Sequence, residues 1–220
     1  MMKTGVLFDL DGTLLDTLED LKDGVNHALR SFGYPERTLR EIREMVGNGA
    51  RVLIARAVPA GAEVEPVLSC FQEYYQGHCR IKTKPYDGIE AAMECLGREY
   101  PLAIVSNKPD GAVKKLCAEY FPGIYAQGEH PGCPRKPAPD MLRIAMERIG
   151  AERCIYVGDS EVDVLTARNA GVPCLSVTWG FRDREELEAQ GASCFCARAE
   201  ELPRVIKEIL KREGWQCDGK

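Results

Sequence analysis

Thr4-Gly5-Val6-Leu7-Phe8-Asp9-Leu10-Asp11-Gly12-Thr13-Leu14-Leu15 is the stretch whose reading decides the fold. The apolar run from Gly5 to Phe8 reads as a buried strand, because uninterrupted apolar residues suit a parallel strand covered on both faces. It stops on two carboxylates one residue apart. A strand ending in Asp-x-Asp brings both acids to the C-terminal edge of the sheet, where open α/β folds bind ligands. Side-chain alternation points Asp9 and Asp11 to the same side if strand geometry persists that far. Two close carboxylates repel unless a cation lies between them or one holds a proton. The motif therefore predicts a divalent-metal site.

The totals fit that reading. A chain of 220 residues with 45% hydrophobic and 29% charged residues is of ordinary globular composition, with room for a second, smaller unit. The net charge of -5 argues against nucleic acid as a partner, since no surplus of Lys and Arg exists to neutralise phosphates. No apolar run approaches membrane-spanning length and no signal-peptide core precedes the first strand, so a cytoplasmic protein without membrane attachment is expected. The ten cysteines include no Cys-x-x-Cys pair and read as thiols, with Cys95, Cys154 and Cys174 in apolar patterns. His27, His78 and His130 are scattered, none beside an obvious partner.

Beyond the motif, Leu18, Leu21, Val25, Ala28, Leu29 and Phe32 recur at helical spacing up to Gly33 and Pro35. Thr38, with Glu41 three residues on, marks the start of a second helix ending near Met45. Two more helices follow Gly47-Asn48-Gly49, so residues 16–82 read as an all-α unit. From Lys84 onward helices alternate with short strands, expected at Leu102–Val105, Ile124–Gln127, Cys154–Val157, Cys174–Val177 and Ser193–Phe195. That alternation implies a doubly wound, Rossmann-like parallel sheet formed by residues 1–15 and 83–220, with the helical unit inserted after the first strand. The tail from Gly214 to Lys220 is expected to be loose.

Each later strand ends in polar residues. Ser106-Asn107 follows one, Lys136-Pro137 precedes a helix, and Gly158-Asp159-Ser160-Glu161-Val162-Asp163 follows another. Singly these are common helix-start residues; together, at successive strand ends, they make a coherent phosphoryl-transfer set. Asp9 is the candidate nucleophile, forming an aspartyl-phosphate. Asp11 would protonate the leaving oxygen and later take a proton from water. Mg2+ bound to Asp9 and Asp159 would offset charge between nucleophile and phosphate. Ser106, with Asn107 beside it, and Lys136 would hold the phosphate oxygens, Gly12 would let the backbone approach them, and Thr13 would support the turn.

In these four motifs, taken in order, the sequence resembles the haloacid dehalogenase superfamily of phosphatases over nearly its whole length. The resemblance implies Asp9 as nucleophile, Asp11 as acid/base, and Mg2+ held by Asp9, the Asp11 carbonyl and Asp159, with Ser160 and Asp163 in support and Asp163 orienting Lys136. It also implies that the helical insertion is a cap that closes over the site. Val46-Gly47-Asn48-Gly49-Ala50, Val105-Ser106-Asn107-Lys108-Pro109 and Thr178-Trp179-Gly180-Phe181 are similar to the phosphoglycolate phosphatase subfamily. The implied substrate is a small phosphorylated metabolite, 2-phosphoglycolate. Arg51, beginning the next cap helix, either pairs with the substrate carboxylate or is a solvated helix residue.

The alternatives within the superfamily are a pyrophosphatase, a sugar-phosphate phosphatase and a phosphoglucomutase using the same aspartyl-phosphate. A phospho-receiver signalling module also carries acids, a hydroxyl and a lysine on a parallel sheet. The inserted helices and the second acid of Asp-x-Asp argue against it. A monomer or a homodimer is compatible with the sequence.

Overall fold

In the computed structural model, which describes residues 2–215, the apolar run of the opening motif is the central strand of a parallel sheet. This strand, β1 (Thr4–Phe8), lies between β4 (Leu102–Pro109) and β6 (Arg153–Gly158). The sheet is completed by β5 (Tyr125–Glu129) outside β4, and by β7 (Cys174–Val177) and β8 (Phe195–Cys196) outside β6, giving the order β5-β4-β1-β6-β7-β8. Strand order reverses at β1, so the two flanking crossovers diverge there and open a crevice at its C-terminal end.

Period-two alternation divides β1 between two apolar layers. Val6 and Phe8 enter the core shared with α5 (Ile89–Gly97), α6 (Asp110–Tyr120) and α10 (Leu202–Arg212). Leu7 faces the opposite way, among Met141, Leu142 and Ala145 of α7 (Asp140–Ile149) and Ala167 of α8 (Glu161–Ala170). Phe8 is fully buried, and its truncation to Ala would cost about 3–5 kcal/mol. The fold is thus the doubly wound α/β class.

Between β2 (Leu15–Asp16) and β3 (Lys84–Pro85), which pair antiparallel as a short ribbon, lie four helices: α1 (Leu18–Ser31), α2 (Leu39–Met45), α3 (Ala50–Ala57) and α4 (Val64–His78). Gly24 brings α1 and α4 together, because a Cβ there would lie 3.0 Å from the Phe71 ring. Thr38 and Glu41 form the expected capping box of α2. At the return crossing, buried Asp20 accepts hydrogen bonds from the backbone N–H groups of Ile81, Lys82 and Thr83 and from the Thr83 hydroxyl. One carboxylate thereby pins the second connection between the helical unit and the sheet.

Several local expectations are corrected. The strand expected to end at Val105 continues to Pro109, with a register shift that carries Ser106, Asn107 and Lys108 along the site edge. The strands expected at Ile124–Gln127 and Ser193–Phe195 lie at Tyr125–Glu129 and Phe195–Cys196. Cys95 is exposed rather than apolar-packed. His27 and His78 do have a partner, since they stack on the two faces of Tyr74 with centroids 4.0 and 3.8 Å away. Trp215, expected in a loose tail, packs against the core with Arg153 over its ring at 4.8 Å; the rest of that tail, residues 216–220, lies outside the described residues. No described helix is long and apolar enough to cross a membrane.

Candidate active site

The sheet's C-terminal edge gathers the acids. Asp9 follows β1 directly, and its N–H donates to the Val157 carbonyl at 2.9 Å, which ties it to β6. Asp159 follows β6, and Asp163 lies in the first turn of α8. One oxygen from each of Asp9, Asp159 and Asp163 falls within 4.8 Å of the other two, and all three residues are buried. Among them lies Lys136, whose Nζ donates to Asp9 Oδ1 at 2.7 Å, to Asp163 Oδ1 at 2.8 Å and to the Tyr156 hydroxyl at 2.8 Å.

Asp163 is committed to this framework. Its Oδ1 accepts from Lys136 and Tyr156, while its Oδ2 accepts from the backbone N–H and hydroxyl of Ser160, closing the capping box of α8. These bonds, and above all the Lys136 charge, overcome burial and hold its carboxyl below the ordinary value. Burial acts against the Lys136 ammonium, but Asp163 and Asp9 more than offset it and keep the lysine charged.

The other two acids lack that compensation. Burial, reinforced by Asp163, pushes Asp159 up to about 7. Burial likewise raises Asp9 well above the usual carboxylate range, against the pull of Lys136. Three buried carboxylates facing one ammonium leave negative charge that is costly in a low-dielectric site. Hard oxygen donors with surplus negative charge suit Mg2+, so the donor set fits the metal that the sequence motif implies.

Gly12 and Gly180 make room for Asp159. A Cβ on Gly12, where φ is +87°, would lie 2.3 Å from Asp159 Oδ2, and one on Gly180 would lie 2.4 Å from Asp159 Cβ. Gly12 is therefore required for the approach of Asp159, a different reason from the phosphate contact expected of it. The Thr13 hydroxyl donates to Asp159 Oδ1 at 2.9 Å and the Phe181 N–H to its Oδ2 at 2.8 Å, so Thr13 orients an acid rather than merely supporting a turn.

Asp11 stands on the helical-unit side. Ser106 Oγ lies 3.5 Å from Asp11 Oδ2, and Lys108 Nζ donates to Asp11 Oδ1 at 2.7 Å. The same ammonium donates to the hydroxyl of Tyr75 in α4 at 2.8 Å. Asn107, expected to bind phosphate, instead spends its amide on the backbone: it donates to the Gly47 and Lys136 carbonyls and accepts from the Lys136 N–H. It fixes the lysine loop and fastens the Gly47 loop above it.

These groups line a cavity of about 60 Å³ bordered by α1, α3, α4 and the loop between α2 and α3. Its floor is polar, and its roof includes Leu21, Leu53 and Phe71. Gly47 and Gly49 border it, while Asn48 does not. Arg51 is also absent from the lining: it pairs with Glu65 at 2.6 Å on the outer surface, with 61% of its side chain exposed. As the second residue of α3 it projects along the helix flank, away from the chamber. Sequence reasoning missed Lys108, Tyr75 and Arg182. The Arg182 guanidinium donates to the carbonyls of Arg43 and Val46 and pairs with Glu161 at 2.8 Å, bridging the sheet and the helical unit.

The model of the haloacid dehalogenase-like hydrolases matches residues 6–177, which include Asp9, Asp11, Ser106, Lys136, Asp159 and Asp163. The chain belongs to that family. Phosphoglycolate phosphatase 1 of Pseudomonas aeruginosa is 34% identical over 222 residues, covering 94% of this chain and 76% of that protein. A Cereibacter sphaeroides phosphoglycolate phosphatase is also 34% identical, covering 94% of this chain and 99% of its own length. Among solved structures, a Lactobacillus delbrueckii subsp. bulgaricus protein provisionally assigned as a phosphoglycolate phosphatase superposes with a TM-score of 0.87. It is 37% identical and covers 94% of this chain and 99% of that one. This family member is accordingly a phosphatase of the α/β class with an inserted helical unit.

Proposed function

We propose that this phosphatase hydrolyses 2-phosphoglycolate to glycolate and phosphate through an aspartyl-phosphate on Asp9, with residues 16–82 acting as the cap. The observation that carries the reading is the cavity between the sheet edge and the helical unit that is lined by Asp9 and Asp11, together with the likeness to two curated phosphoglycolate phosphatases. Asp9 attacks phosphorus, and Asp11, two residues on, gives its proton to the departing glycolate oxygen. Asp11 then takes a proton from the water that attacks the aspartyl-phosphate, which releases phosphate and restores Asp9. Lys136 neutralises charge on the phosphoryl oxygens, and the Ser106 hydroxyl donates to another. Mg2+ would be held by Asp9, Asp159 and the Asp11 carbonyl, and would supply Lewis-acid stabilisation of the transferring group. Asp163 keeps Lys136 charged and in place. The apolar roof excludes water, which strengthens these electrostatic interactions.

Phosphate release from 2-phosphoglycolate, ethyl phosphate, pyrophosphate, a mononucleotide and several sugar phosphates tests the substrate. The expected result is a kcat/KM for phosphoglycolate well above all others, dependent on Mg2+ and lost with EDTA. A higher value for pyrophosphate or a sugar phosphate would overturn the substrate assignment.

A further inference from the structure

If the substrate is a carboxylated phosphate ester, something in the chamber must bind its second negative charge. Arg51 does not reach the chamber, so the cations that line it are Lys136, Arg182 and Lys108. Lys136 is committed to Asp9 and Asp163. Arg182 is paired with Glu161 and with two backbone carbonyls of the helical unit. Among the described residues Lys108 has Asp11 as its one carboxylate partner, at 2.7 Å, and its side chain is only 3% exposed.

The position of Lys108 matches the chemistry of the ester. In phosphoglycolate one methylene separates the ester oxygen from the carboxylate. The group that protonates that oxygen must therefore have the carboxylate for a near neighbour. Lys108 Nζ touches that acid, Asp11, and sits on its helical-unit side, next to Tyr75. The Tyr75 hydroxyl accepts from Lys108 and keeps its own proton to donate, since burial raises it above the usual phenol value. The start of α3 opens on the same place. Its N-cap is Gly49, which brings no capping side chain and borders the chamber; a Cβ there would lie 3.0 Å from a Glu129 carboxylate oxygen and 3.3 Å from the Asn107 carbonyl.

We propose that Lys108, seconded by the Tyr75 hydroxyl, is the specificity residue that binds the carboxylate of the leaving group. This rests on the phosphoglycolate reading above and deepens it. Lys108 comes from the sheet and Tyr75 from the helical unit, so the carboxylate is gripped from both sides of the chamber.

The test is a selectivity ratio, kcat/KM for 2-phosphoglycolate divided by kcat/KM for ethyl phosphate, which has the same two carbons and no carboxylate. It is measured in the wild type, Lys108→Met and Tyr75→Phe. Loss of a charge-assisted contact should lower the ratio by roughly tenfold or more in Lys108→Met, chiefly through KM for phosphoglycolate, and by about threefold in Tyr75→Phe. Turnover of ethyl phosphate by each variant reports that it is folded, and Tyr75→Phe keeps the ring stacked on Phe71 at 5.0 Å. If Lys108 serves only Asp11, both esters fall together, the ratio is unchanged and the proposal is overturned while the substrate reading stands. If the wild type already treats the two esters alike, the substrate reading fails as well.

Discussion

Lys136 Nζ lies 2.7 Å from Asp9 Oδ1 and 2.8 Å from Asp163 Oδ1, so one buried ammonium holds both carboxylates in a single frame. Lys136→Met removes the only cation of that cluster among the described residues. Turnover should fall by about 10²–10³-fold. In metal-free buffer the variant should also lose on the order of 3–5 kcal/mol in urea unfolding, because breaking a buried pair strands its partners. Unchanged stability would mean that Asp9 and Asp163 are not charge-balanced by this lysine.

Removal of metal should expose the surplus acid as a pH dependence. Asp159 is raised to about 7 in the folded chain, whereas an unfolded aspartate titrates near 4. The folded state then binds the extra proton, so its stability is fullest below about pH 4 and declines as pH rises towards 7. Metal-free Tm should therefore fall between pH 5 and pH 8, other groups being equal, by several degrees at roughly 2–4 °C per kcal/mol. Mg2+ should raise Tm more at pH 8 than at pH 5. Thermal melts in EDTA and in Mg2+ across that range check both signs; a Tm rising with pH in EDTA would contradict them.

Arg182 fastens the C-terminal end of α2 through the Arg43 and Val46 carbonyls. Arg182→Ala should loosen the loop over the chamber. Amide exchange across residues 43–50 should accelerate, and kcat/KM should fall by about tenfold, the scale of a lost charge-assisted pair. Unaltered exchange in that segment would show that the helical unit is held by other contacts.

Arg51 provides the contrasting case. Its pair with Glu65 is exposed on both sides, and such pairs contribute about 0–1 kcal/mol. Arg51→Ala should change kcat/KM for phosphoglycolate by less than about threefold. A selective rise in KM for carboxylated esters would bring Arg51 back into substrate recognition.

The parts of this chain that were legible in its sequence are those governed by local rules. An apolar run ending in Asp-x-Asp identifies β1 and its two acids, and Thr38 with Glu41 identifies the start of α2, because both signals are complete within a few residues. Lys108, Tyr75 and Arg182 meet the chamber from three distant segments, and no spacing along the chain announces that meeting. Lys108 was further obscured because the strand carrying it was expected to stop at Val105, whereas polar Ser106, Asn107 and Lys108 extend β4. Of the two readings open for Arg51, the solvated one agrees with its exposed position. Adjacency to the Gly47-Asn48-Gly49 loop suggested the chamber, but rotation along α3 turns Ala50 inward and Arg51 out. Gly12 and Thr13 sit in the motif as read, but their true neighbour, Asp159, is remote in sequence.

Covalent capture of the phosphoryl group tests the central claim most directly. Asp11→Asn should still accept phosphate from p-nitrophenyl phosphate, whose leaving group needs little proton assistance, but should be slow to activate water. Intact-protein and peptide mass spectrometry should then find one phosphoryl group, located on Asp9, and none when Asp9→Asn is added. A phosphoryl group on any other residue, or sustained phosphate release by Asp9→Asn alone, would contradict the account.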